Sequence, residues 1–164
     1  MVINCTPGKS QKEIADEKRE SAAYEKRNEA FKAMEERIRI MRKTLTLKII
    51  NYKSLFDNTV EITYRISNNG DRGIQSFQGT CGIQNILEST LCQYNVKSLS
   101  PITPSGYIDI TDRLNTGGNP GCPDLYNSDL SNVGLSFFYI DDVIFTDGSR
   151  YSLKGDMDYV ESLR

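Results

Sequence analysis

The length, composition and charge of the chain set the first limits. The chain has 164 residues and a net charge of −2, and apolar residues make up 38% of it. We therefore expect one compact domain plus an appendage that contributes little to a core. No apolar run of about 18 residues occurs, which argues against a membrane-spanning helix within this sequence. The absence of histidine excludes His-based triads, His-assisted cysteine nucleophiles and most zinc sites.

Positive charge is concentrated near the beginning of the chain, but it is too weak for nucleic-acid binding. Residues 9–43 carry 11 basic and 8 acidic side chains, and the rest of the chain is acidic on balance. The signs are interleaved, whereas nucleic-acid sites present a strongly basic surface with aromatic side chains. We interpret the stretch as a solvated helix face and predict no nucleic-acid partner.

A charged amphipathic helix is predicted over residues 10–43, after a flexible terminus at residues 1–9. The stretch contains no Pro or Gly and consists largely of Glu, Lys, Arg, Ala and Met, which are good helix formers. Ser10 and Glu13 have the spacing of a capping box. We therefore expect the helix to begin near Ser10 and to end near Lys43.

An apolar stripe with coiled-coil spacing begins at Tyr24 and runs along the second half of this helix. Its interaction candidates are Phe31, Met34, Ile38 and Met41. The same register places Glu17 and Glu20 on the stripe, so the first turns of the helix should stand in solvent. Three interpretations stay open: the stripe docks on the following domain, it mediates self-association, or it lies on a membrane surface.

After residue 43 the hydrophobic period changes to two, which predicts strands. The alternation is clearest over residues 59–67, where the even-numbered residues from Val60 to Ile66 are apolar. Further strands are predicted at 44–50, 74–83, 90–96, 107–111, 133–140, 143–145 and 151–153. Turn signals such as Asp147-Gly148 separate several of them. The pattern predicts an antiparallel immunoglobulin-like β-sandwich of seven or eight strands over residues 44–155, with a C-terminal tail at 156–164.

Two of the four cysteines are predicted to form a disulfide. If residues 77–83 and 90–96 pair as a hairpin with Ile83 opposite Thr90, then Cys81 lies opposite Cys92 on the apolar face. Directly opposed residues of this kind are within bridging distance. The alternative is a pair of reduced core cysteines. An even cysteine count in a small β domain favours an oxidising compartment.

The other two cysteines lie in Pro/Gly-rich surroundings. Cys5 and Cys122 are a candidate second pair, although Cys122 can equally be free. Cys5 also stands before a Pro/Gly/Ser/Lys stretch and a charged helix, as the acylated cysteine of a bacterial lipoprotein does. The residues before it do not form the usual lipobox. A membrane tether through Cys5 and an ordinary flexible terminus therefore both stay open.

The long loop at residues 112–132 is the first candidate for a binding site. A loop of this length in a small domain is functional or disordered. Asp124 and Asp129 are interaction candidates there, and they supply oxygen atoms that Ca²⁺ prefers, but the spacing is not that of an EF-hand. Asp141 and Asp142 are better explained by a turn than by a paired-carboxylate acid/base site. We predict no catalytic residue, no metal site and no cofactor.

From Leu45 onward the chain resembles small immunoglobulin-like FxLYD-type domains of bacterial cell-envelope proteins. The resemblance is carried by Ile-Thr-Tyr-Arg-Ile-Ser-Asn-Asn-Gly at 62–70, the hairpin at 74–92, Ser-Pro-Ile-Thr-Pro-Ser-Gly at 100–106 and Val-Ile-Phe-Thr-Asp-Gly at 143–148. It covers roughly two thirds of the chain. It implies a noncatalytic envelope module of the kind often found on lipoproteins.

These observations favour a noncatalytic, extracytoplasmic module of the periplasm or cell envelope that binds another protein or has a structural role. Self-association through the helix and a lipid tether are compatible with this hypothesis. One alternative is a phage or mobile-element envelope protein that blocks a host receptor. Another is a metal-dependent carbohydrate binder that uses the acidic loop at 112–132.

Overall fold

A computed structural model of the chain describes residues 10–84, 90–116, 122 and 133–163. A long helix precedes seven strands, and a short helix follows them. The elements are α1 (Gln11–Thr44), β1 (Leu45–Ser54), β2 (Thr59–Asn68), β3 (Ile74–Gln84), β4 (Thr90–Ser98), β5 (Tyr107–Asn115), β6 (Gly134–Phe145), β7 (Arg150–Ser152) and α2 (Leu153–Ser162).

The first helix begins with the capping box that the sequence predicts. The Ser10 side chain accepts a hydrogen bond from the Glu13 backbone N–H at 3.3 Å, and the Ser10 backbone N–H donates to Glu13 Oε2 at 2.6 Å. Two of the otherwise unpaired N–H groups of the helix start are satisfied in this way. At the other end, Leu45 is already extended, so the helix passes into β1 without a loop.

The strands form two antiparallel sheets, which confirms the predicted mainly-β, sandwich-like fold. One sheet has the order β1-β2-β5, and the other has the order β4-β3-β6-β7. The inward residues of β2, from Val60 to Ile66, are fully buried, as their alternation predicts. They pack with inward residues of the second sheet, including Phe77 and Val96, in a single core.

The predicted register of the β3–β4 hairpin is wrong by two residues. Cys81 lies opposite Tyr94, and Ile83 lies opposite Cys92, with an irregularity beside Ile83 and Gln84. Because side chains alternate with a period of two, a slip of two residues keeps the same side chains on the inner face. The hydrophobic pattern therefore cannot distinguish the two registers. Gly79 lies opposite Val96, and the Phe138 ring lies beside it.

Two further elements differ from the sequence predictions. The strands predicted at 133–140 and 143–145 form one strand, β6, in which Asp141 is an extra residue between the pairs Gly79–Ile140 and Gln78–Asp142. Asp141 and Asp142 are therefore part of a bulged strand and not of a turn. Residues 153–162 form α2, where a tail had been expected from residue 156.

Candidate functional site

The long helix α1 is only partly packed on the β-sandwich. Met34 and Met41 are buried, Ile38 is half-buried, and Phe31 remains 45% exposed. Every residue from 11 to 26 is exposed. The four candidates of the apolar stripe therefore divide, because two of them dock on the following fold and the other two are partly open to solvent.

The short helix α2 packs beside α1 and forms a groove with it. Arg37 of α1 and Asp156 of α2 make an ion pair at 2.6 Å, and the Ser152 side chain caps α2 by accepting from the Gly155 N–H. The groove has a volume of about 360 Å³. Its lining residues are Tyr24, Arg27, Asn28, Phe31, Met34, Met157, Val160 and Glu161. This is a largely apolar recess with polar edges.

The disulfide of the fold joins Cys92 to Cys122, so the predicted Cys81–Cys92 pair is wrong. Cys81 is a buried free thiol. The register explains the difference, because Cys92 stands opposite Ile83 and is only diagonal to Cys81. The candidate pairing of Cys5 with Cys122 is excluded by the same bond. Cys5 itself, with its predicted lipidation, lies outside the described residues.

The free thiol of Cys81 is in an environment that suppresses its reactivity. Burial raises the pKa of the Cys81 thiol to about 11, although a hydrogen bond from the Tyr94 hydroxyl opposes this shift and the Asp112 carboxylate adds to it. A thiol must lose its proton to act as a nucleophile. Near neutral pH, Cys81 is therefore a packed core residue.

A tyrosine from each sheet extends this buried polar cluster. Tyr64 is fully buried on β2, and its hydroxyl donates to the carboxylate of Asp112 on β5. The Tyr64 and Tyr94 rings lie 6.5 Å apart between the sheets. Burial raises the pKa of both hydroxyls. The cluster satisfies buried polar groups of the sandwich and connects the two sheets.

The acidic residues do not form a metal site in the described part of the chain. Asp124 and Asp129 lie outside the described residues. Asp142 is held by the Arg150 guanidinium, and Asp141 accepts a hydrogen bond from the Thr80 hydroxyl at 3.2 Å. Over residues 10–84, 90–116, 122 and 133–163, no group of three or more acidic or cysteine side chains is placed to hold a metal ion. Neither helix described here has both the length and the apolarity to span a membrane.

The second wall of the groove was missed at the level of sequence. Leu153, Met157 and Val160 have helical spacing, which is the signal that was available. The stretch is only ten residues long, contains Gly155, and follows a strand directly, so its period is short and interrupted. The ion pair between Arg37 and Asp156 joins positions far apart in sequence, and no local pattern indicates it.

Taken together, these features define a disulfide-containing β-sandwich with a partly free helical arm. No family model and no curated protein matches the chain. Among solved structures, it is similar to the Salmonella enterica trimeric lipoprotein SadB, with 15% identity, 82% coverage of each chain and a TM-score of 0.38. It is also similar to Northeast Structural Genomics Consortium target SoR45, with 12% identity and a TM-score of 0.33, over 65% of this chain and 75% of that one.

Proposed function

We propose that this protein is a noncatalytic module of the periplasm or cell envelope that works through contacts with other proteins. The observation that carries the proposal is the Cys92–Cys122 disulfide, whose two residues belong to the buried core. Cytoplasmic reductants keep such thiols reduced, whereas extracytoplasmic compartments allow them to pair. The resemblance of residues 45 onward to FxLYD-type envelope domains supports the same location.

The ion pairing of surface carboxylates and the protonation of the Cys81 thiol support a noncatalytic role. The outer face of the first sheet carries Asp109 and Glu61, and each is ion-paired with an arginine, Arg65 and Arg113 respectively. The Arg65 guanidinium holds the pKa of Asp109 below its usual range. A carboxylate whose pKa is lowered in this way is a poor proton acceptor near neutral pH. The Cys81 thiol keeps its proton for the separate reason of burial.

The helical arm supports a role in protein contacts. A solvated single helix gains little stability from its own backbone hydrogen bonds, and residues 11–26 of α1 have no buried side chain. An exposed aromatic side chain in such a segment, here Tyr24, is typical of protein interfaces. The groove between α1 and α2 adds a recess beside them.

The compartment is tested by trapping the thiols inside cells. Cells that express the natural gene would be quenched with acid and alkylated with a maleimide before lysis, and the mass of the protein would give the number of modified thiols. We expect no more than two of the four cysteines to react, since one disulfide is present. The control is the same chain retained in the cytoplasm, where all four should react. Four reactive thiols in the natural location would contradict the proposal.

A further inference from the structure

One side of α1 keeps large apolar side chains in solvent next to the groove. Tyr24 is 67% exposed, and Phe31, one heptad later, is only about half covered. The neighbouring stripe contains the buried Met34, which lines the groove with α2, and Met41, which belongs to the core of the β-sandwich. We call the outward side the open stripe. On a regular helix it consists of Glu13, Glu17, Glu20, Tyr24, Phe31, Glu35, Ile38 and Arg42.

The second helix completes the recess beside the open stripe. Met34 and Val160 are buried and form the floor of the groove, while Met157 of α2 is 49% exposed at its edge. A helix laid along α1 would therefore contact the aromatic side chains of the open stripe and Met157 at the same time. Apolar anchors in a recess, surrounded by polar side chains, are the usual centre of a protein interface.

The distribution of charge along α1 indicates what kind of helix can bind along the open stripe. Residues 11–25 hold five acidic and three basic side chains, whereas residues 26–44 hold seven basic and three acidic ones. On the open stripe, Glu13, Glu17 and Glu20 stand before the aromatic residues, and Glu35 and Arg42 stand after them; the Arg42 guanidinium also lies over the Tyr139 ring. Two such helices in antiparallel orientation set the acidic half of one against the basic half of the other, whereas a parallel orientation opposes halves of like charge.

We infer that two copies of this chain pair through the open stripe, with their α1 helices antiparallel and Tyr24 of each copy near Phe31 of the other. The two-fold axis then passes between Arg27 and Asn28, and the interface is the same surface on both copies. The first turns of α1, exposed in the single chain, lie along the basic half of the partner's helix. This inference deepens the proposed function and rests on its statement that the chain works through protein contacts.

Mass in solution tests the pairing. Sedimentation equilibrium of the full chain should give about twice the 18.5 kDa of one copy. Phe31→Glu and Tyr24→Glu should each raise the dissociation constant by at least about tenfold, because each places a charge at the apolar centre of the interface. Circular dichroism and thermal melting would verify that each variant is folded. The matched control is Phe56→Glu, at a residue that is 91% exposed in the turn between β1 and β2, and this variant should pair like the wild type.

The orientation has its own test, which uses charge reversal. Glu17→Arg should weaken pairing, because it adds a positive charge opposite the basic half of the partner. The double variant Glu17→Arg, Arg42→Glu should restore it, because Arg42 of the other copy lies opposite Glu13, one helical turn from position 17. Absence of rescue, or a trimer in place of a dimer, would overturn the antiparallel arrangement. A wild-type chain that stays a monomer at about 100 µM, a concentration far above the dissociation constants of stable complexes, would overturn the pairing itself.

The failure of this inference is distinguishable from the failure of the proposed function. A monomeric wild type with the Cys92–Cys122 bond intact overturns the pairing and leaves the envelope module in place. A dimer whose four thiols are all reduced in its natural location contradicts the compartment and supports the pairing.

Discussion

Asn68 shows how a single buried side chain holds the corner between the two sheets. It ends β2 and has no exposed surface. Its side-chain amide donates to the carbonyls of Arg72 at 2.8 Å and Thr103 at 3.1 Å, and its Oδ1 accepts from the Gly70 N–H at 3.0 Å. Buried backbone groups of two loops are satisfied by this one residue. The residue type alone indicates that Asn68 lies near a turn, but it does not indicate these distant partners.

Replacement of Asn68 by Ala should therefore lower the free energy of unfolding by about 1–3 kcal/mol, since buried donors and acceptors lose their partners. Urea unfolding followed by circular dichroism measures the change. Asn51→Ala, on an exposed position of β1, is the matched control and should change stability by less than about 0.5 kcal/mol. Equal effects of the two substitutions would contradict the role assigned to Asn68.

Cys81 gives the fold a dependence on alkaline pH. Burial raises the pKa of the Cys81 thiol from 9.0 to about 11, so between these values the unfolded chain loses a proton that the folded chain keeps. The stabilising contribution is complete below pH 9 and is lost as the pH rises towards 11. We expect a loss of about 2–3 kcal/mol from this group. The measurement is urea unfolding over that range.

The matched variant for this pH dependence is Cys81→Ala, whose stability should fall less steeply over the same range. A residual slope is expected from Tyr64 and Tyr94, because burial raises the pKa of both hydroxyls. Identical pH profiles for the wild type and the variant would show that the thiol ionises equally easily in the folded and unfolded chain.

At the scale of elements, close backbone contacts position the strands, in addition to the alternation of apolar and polar side chains along them. At Gly79 of β3, an added Cβ would lie 2.5 Å from the Tyr139 carbonyl oxygen and 2.9 Å from the Phe138 ring. The backbone of β6 therefore approaches β3 at Gly79 more closely than a residue with a Cβ atom would permit. This approach occurs beside the bulge at Asp141, where the β3–β6 register shifts.

Gly79→Ala should consequently destabilise the sandwich by about 1–3 kcal/mol, because the methyl group can be placed only by moving backbone. Gly134→Ala is the control, since a Cβ at that position meets no atom within 4 Å. Thermal melting of the two variants measures the difference. If Gly79→Ala is as stable as the control, the close approach of β3 and β6 is not present in solution.

How much of each element could be predicted from the sequence depends on how far apart in the sequence the interacting residues lie. The start of α1 and the faces of β2 follow from spacings of a few residues, and both were predicted. The β3–β4 register was not, because a slip of two residues keeps the same inner face. The same limit explains the wrong cysteine pair, since Cys122 is brought to Cys92 by the fold and not by a hairpin.

At the scale of the whole molecule, the Cys92–Cys122 bond connects β4 to the residues that follow β5. The cysteines are 30 residues apart, and the bond removes conformational freedom from the unfolded chain. Cys92→Ala should lower the free energy of unfolding by about 2–4 kcal/mol. Reduction of the wild type should have a similar effect, while the variant should be insensitive to reductant. A wild type whose urea midpoint does not change on reduction would contradict this prediction.

The most direct test of the account is a peptide map of the non-reduced protein. The protein would be isolated from the compartment in which it naturally occurs, its free thiols blocked before digestion, and its linked peptides identified by mass spectrometry. The account predicts one linked pair that contains Cys92 and Cys122, with Cys81 recovered as a blocked free thiol. A Cys81–Cys92 link would contradict the described core, and four blocked thiols would contradict the extracytoplasmic location inferred from the disulfide.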